Sequence, residues 1–151
     1  MYDTKYKEMH NSIIPEFGWL TALAAMAIAL IFITLSSLIK EPDRQTINAL
    51  LIAGAGGVYW SGGLGAWEFA FGTIMLWIAF KGLTNYSFIG IGWLLHTVWD
   101  ILHHFYGNPI VVFDPLSSAG CAVCDPILAI WFFFKAPSIF NLFRRQAQLE
   151  A

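Results

Sequence analysis

The sequence predicts an all-α fold: a polytopic membrane helix bundle of about five transmembrane helices, over 18–39, 45–60, 64–80, 87–106 and 121–135. Three observations carry this reading. Hydrophobic residues make up 58% of the 151 positions and charged ones only 12%, where soluble domains carry about a quarter charged. With a mean hydropathy of +0.62, one soluble domain of this length could not hide its apolar surface. The run from Gly18 to Ile39 is uncharged and long enough to cross roughly 30 Å of hydrocarbon. The remaining apolar runs are separated by short charged or Gly/Pro-rich breaks.

Residues 1–17, with Lys5, Lys7, Glu8 and Pro15, read as a polar surface arm. The first apolar run lacks an obvious A-x-A cleavage site and is expected to stay as an anchor. Lys40-Glu-Pro-Asp-Arg44 forms the next loop, and Pro42 favours helix re-entry. In the second helix Gly54, Gly56 and Gly57 would permit close helix contact. Ser61-Gly-Gly63 reads as a tight turn, the third helix runs from Leu64 to Phe80, and Lys81 to Tyr86 is a loop. The fourth helix covers Ser87 to Tyr106. Gly107 to Gly120, with Pro109, Asp114 and Pro115, is expected to be loop. The fifth helix starts near Cys121 and, being short, continues past Lys135 until Pro137 breaks it. The bundle thus spans 18–137. Residues 138–151 read as an interfacial amphipathic tail with Phe140 and Phe143 toward lipid.

Lys40, Arg44, Lys81, Lys135, Arg144 and Arg145 fall on one side of such a bundle, and Lys5 and Lys7 on the other. The positive-inside rule then places the N-terminus outside and the C-terminus in the cytoplasm. No basic face suggests nucleic acid as a partner.

The fourth helix carries His96, Asp100, His103 and His104 inside an apolar run. At about 100° per residue these fall within roughly 100° of arc. Ionisable groups in hydrocarbon are costly and are usually paired or functional. Glu68 lies near the outer end of the third helix, and Cys121, Cys124 and Asp125 open the fifth from the same side, with Asp114 in the preceding loop. Nearly all intramembrane ionisable groups therefore share the outer half of the bilayer, which points to one outward-facing polar site.

Imidazoles and carboxylates are the usual ligands for transition metals such as zinc or iron. The economical site combines two of His96, His103 and His104 with Asp100 or Glu68. Glu68 and Asp100 are also the candidate catalytic carboxylates, one acting as base toward a metal-bound water whose pKa falls to about 7 on zinc. His103 and His104 cannot both point the same way. The competing reading is structural: each group bonds a neighbouring helix, and Trp93, Trp99 and Tyr106 are interfacial belt residues.

Cys121-Ala-Val-Cys124 is a second signal. A thiol at a helix N-terminus has its thiolate favoured by the dipole, so the pair reads as a redox-active or structural disulfide, or as soft metal ligands. Asp125-Pro126 suits a first helical turn, which makes Asp125 either a helix cap or a site carboxylate.

The runs Gly62-Gly-Leu-Gly-Ala-Trp-Glu-Phe-Ala-Phe71, Gly90-Ile-Gly-Trp-Leu-Leu-His-Thr-Val-Trp-Asp-Ile-Leu-His-His-Phe-Tyr-Gly-Asn-Pro109 and Ser117-Ser-Ala-Gly-Cys-Ala-Val-Cys-Asp-Pro126 resemble a family of small bacterial polytopic integral membrane proteins of unknown function. That resemblance implies a helical polytopic fold in the bacterial inner membrane and assigns no activity. The residues themselves favour a metal-binding site that hydrolyses lipid-like substrates. Two other readings compete: a non-enzymatic accessory subunit packing Trp67, Trp77 and Trp131 to Phe134 on partner membrane subunits, and a thiol-redox or metal-handling protein using Cys121 and Cys124.

Overall fold

The computed structural model describes residues 17–61, 63–111 and 113–141. The N-terminal arm up to residue 16 and the tail beyond Asn141, Phe143 included, lie outside the described residues. Those described form five α-helices: α1 Trp19–Leu38, α2 Asp43–Val58, α3 Trp67–Gly82, α4 Tyr86–Phe105 and α5 Ser117–Phe133. A 3-10 turn, Tyr59–Ser61, follows α2. The only extended pairing among them is an isolated bridge between Val111 and Asp114, so the fold class is all-α.

The helices run alternately up and down. At one end Gln45 Nε2 donates to the Gly82 carbonyl at 2.8 Å and Tyr86 Oη to Glu41 Oε1 at 2.5 Å. Ser138 Oγ donates to the Ser37 carbonyl at 3.1 Å at that same end. Lys40, Lys81 and Lys135 follow α1, end α3 and follow α5 there, so we name it the basic end. At the opposite end Trp99 Nε1 donates to Glu68 Oε2 at 2.8 Å. α4 is the hub: it packs on α5, α3 and α2, while α1 packs on α5 and α2 on α3.

Each helix buries one stripe at helical spacing. α1 buries the small residues Ala25, Ala29, Ser36 and Ser37 with Ile33, and α2 buries Arg44, Asn48, Ala49, Ile52 and Gly56. α4 buries Ile89, Gly90, Gly92 and Trp93, then His96, Asp100 and His103. Asn85 caps α4, its side chain accepting from Ser87 N at 2.9 Å, a standard use of Asn at that position. Of the three glycines expected to bring α2 close to a neighbour, only Gly56 does so. A Cβ there would meet the Met75 side chain on α3, whereas Gly54 and Gly57 face open space.

Helix boundaries differ from expectation in three informative places. α3 starts three residues late because Gly65 takes a positive φ of 64°, and the Leu64 amide is instead held by Glu68 Oε1 at 3.0 Å. α5 starts a full turn early, at Ser117. Asp114 makes the turn, its Oδ1 accepting from Leu116 N at 3.1 Å and its carbonyl from Ser117 Oγ at 2.7 Å. The Ser117 and Ser118 hydroxyls then take the amides of Val111 and Ile110. The extension past Lys135 does not occur: Lys135 and Ala136 turn left-handed, with φ of 62° and 43°. Their amides close on the carbonyls of Phe132 and Trp131, both at 2.9 Å.

α1 is long and apolar enough to cross a membrane by length and composition. Large apolar side chains face outward on every helix, among them Trp19, Leu50, Phe69, Val98 and Ile130. Trp131 and Phe132 are instead core residues, so the aromatic surface expected for partner subunits reduces to Trp67, Trp77, Phe133 and Phe134.

Candidate metal centre

α4 brings His96 and Asp100 together because residues four apart stack on one helix face. His96 Nδ1 lies 3.0 Å from Asp100 Oδ2 and 2.7 Å from Asp125 Oδ2 on α5. All three side chains are buried, Asp100 completely. The other imidazole nitrogen, Nε2, lies 3.3 Å from the Ala55 carbonyl on α2. A carbonyl only accepts, so Nε2 carries a proton and Nδ1 is the nitrogen turned toward the carboxylates. Tyr59 donates its hydroxyl to Asp100 Oδ1.

One donor atom from each of His96, Asp100 and Asp125 falls within 4.8 Å of the others, and this buried group could hold a metal ion. Tetrahedral zinc at roughly 2.0–2.1 Å sets its ligands about 3.4 Å apart. The carboxylates of Asp100 and Asp125 would therefore part from Nδ1 by about 0.4 and 0.7 Å on binding. The Ala55 carbonyl and the Tyr59 hydroxyl already hold the outer side of two of the three groups, as partners of metal ligands commonly do.

A second buried pair lies alongside. Glu68 Oε1 on α3 sits 2.8 Å from His103 Nε2 on α4, though out of line for a hydrogen bond. His103 Nδ1 faces the Asn108 carbonyl at 3.0 Å and donates to it, so attraction to Glu68 requires a second proton on the ring. Glu68 also accepts from Leu64 N and Trp99 Nε1. The Tyr59 ring lies between the two histidines, with centroids 4.2 Å from His103 and 5.3 Å from His96.

The ligand set therefore differs from the one expected. His96 and Asp100 are in it, and Asp125 joins as a site carboxylate. Asp125 is not a helix cap, because α5 begins two turns before it and leaves Pro126 inside the helix. His103 and Glu68 form their own pair outside the group. His104, one residue round the helix, is only half-buried and lies against Phe105 rather than the site. Cys121 and Cys124 are free thiols, so no static bridge joins them. Cys121 stands in the second turn of α5, past the reach of the dipole, which fades within the first turn. It is nevertheless within electrostatic range of Asp100 and Asp125.

Sequence reasoning missed Tyr59, and placed Trp99 only in the competing structural reading, as a belt residue. Tyr59 was detectable as the continuation of the α2 stripe through Asn48, Ile52 and Gly56. Trp99 is instead stacked on Phe71 at 4.4 Å while its indole N–H serves Glu68.

No curated protein and no solved structure matches the chain. A family model described as a family of unknown function, DUF6010, matches residues 20–138, from the start of α1 to just beyond α5. That span holds both buried pairs and every helix described above, and the chain belongs to this family of unknown function.

Proposed function

We propose that the protein is an integral membrane helix bundle with a buried transition-metal centre, zinc or iron, on His96, Asp100 and Asp125, and that this centre hydrolyses lipid-like substrates. The membrane reading is supported by inverted polarity. Glu68, Asn48, Asp100 and Ser118 are among the fully buried side chains, while large apolar residues are exposed on every helix. That arrangement suits hydrocarbon and not water. α2, α3 and α5 are shorter than α1. The 3-10 turn lengthens α2, and local bilayer thinning accommodates short spans.

The observation that carries the metal reading is the His96 ring, with Nε2 tied to a carbonyl and Nδ1 facing two carboxylates. Three protein ligands leave a coordination position open for water, the pattern of catalytic rather than structural zinc. A cavity of about 500 Å³ between α1 and α5 is lined mainly by apolar residues and reaches Cys121 and Cys124, beside Asp125.

Elemental analysis of detergent-purified protein tests this. About one zinc or iron per chain is expected, lost in His96→Ala and Asp125→Asn and kept in His104→Ala. Protein that takes up no metal after incubation with either ion overturns the reading.

A further inference from the structure

The basic end of the bundle holds a cavity of about 800 Å³, separate from the metal centre and lined by Ser37, Lys40, Arg44, Ser138, Phe140 and Asn141, among others. Its charges do not balance. Glu41 Oε1 accepts from Arg44 Nε at 2.7 Å, lies 2.5 Å from Arg44 Nη2, and takes the Tyr86 hydroxyl as well. Glu41 also lines the cavity, and all three contacts fall on its Oε1, so one carboxylate stands there against the two cations Arg44 and Lys40. Arg44 is only 6% exposed, yet its Nη1 has no partner among the described residues. Lys40, exposed at the rim, forms no ion pair among the described residues.

A buried guanidinium with a spare donor is expensive to leave unmet, and an arginine fork beside a lysine suits phosphate oxygens. We propose that this cavity binds a phosphate group, carried either by a membrane lipid or free in solution. The groups around it fit: the Ser37 hydroxyl, which accepts from Ile139 N at 3.3 Å, keeps its own proton to donate. Phe140 and Leu38 at the margin offer apolar surface to a lipid's glycerol and first methylenes.

The test is native mass spectrometry of the full chain in detergent, with dioctanoyl phosphatidic acid, dioctanoyl phosphatidylcholine or inorganic phosphate added. One tightly held phosphatidic acid per chain is expected, with phosphatidylcholine held more weakly. Lys40→Gln should weaken it about fivefold. Arg44→Lys, which keeps the charge and loses the fork, should weaken it about tenfold. Lys81→Gln, at the same end and outside the cavity, should change nothing. Displacement of the lipid by inorganic phosphate identifies the free anion as ligand, and persistence of the lipid identifies the headgroup; either supports the site. Should Arg44→Lys fail to fold, the exposed Lys40→Gln decides alone. Absence of a one-to-one adduct, or equal adducts in Lys40→Gln and Lys81→Gln, overturns the proposal.

Discussion

Asp100 has no exposed surface; the Tyr59 hydroxyl holds its Oδ1, and its Oδ2 faces His96 Nδ1, a contact that a bound cation or a second ring proton would make attractive. Tyr59→Phe removes that hold and leaves the ring in place. An unsatisfied buried acceptor costs about 1–3 kcal/mol, so the variant should unfold correspondingly earlier in a detergent denaturation series. It should also lose metal affinity by about ten- to a hundredfold, the usual effect of losing a ligand's supporting bond. The Glu68 carboxylate accepts from two donors, Leu64 N and Trp99 Nε1, and lies 2.8 Å from His103 Nε2. Glu68→Gln retains an acceptor oxygen and should be the milder change. Glu68→Ala leaves the buried Leu64 amide and Trp99 indole N–H without their acceptor and should cost about 1–3 kcal/mol for each in the same measurement. Metal content separates the two pairs: it should survive Glu68→Gln and vanish in Asp125→Asn.

At the scale of the helix, glycine positions discriminate between close packing and open space. Gly72 of α3 lies under the Trp60 indole, which a Cβ would strike, whereas Gly54 of α2 meets nothing. Gly72→Ala should therefore destabilise by about 1–3 kcal/mol through overpacking. Gly54→Ala should be neutral or stabilise by up to about 1 kcal/mol from helix propensity; thermal unfolding of the two variants side by side checks the contrast. The same distinction shows what the sequence could reveal. The grouping of His96, Asp100 and His103 on α4 was legible, because helical period alone sets it. The shared depth of Glu68 and Asp125 was legible too, from where the apolar runs begin and end. Which acid meets which histidine was not legible, because it depends on how α3 and α5 are rotated about their axes against α4. The start of α5 was hidden because Ser117, Ser118 and Asp114 look like loop chemistry until their hydroxyls and carboxylate are seen to close the first turn.

For the molecule as a whole, the arrangement of charge sets a direction. The Glu68–His103 pair lies at the end where α3 begins and α4 finishes, with the His96–Asp125 contact deeper, near the middle of α4 and α5, while Lys40, Lys81 and Lys135 lie at the other end. On the membrane reading proposed above, the positive-inside rule would put the basic end in the cytoplasm and the opposite end outside. Two exposed loop positions read it out. Phe113, 91% exposed, lies between α4 and α5 at the site end, and Thr84, also exposed, joins α3 to α4 at the basic end. In intact cells a membrane-impermeant maleimide should label Phe113→Cys at once and Thr84→Cys only after permeabilisation; the half-buried Cys121 and buried Cys124 of the parent chain set the background. Labelling in the reverse order would turn the metal centre toward the cytoplasm and the phosphate cavity outward. Equal labelling at both positions without permeabilisation would mean that no bilayer separates the two ends. In that case the outward-facing apolar residues would have to be covered by other protein chains.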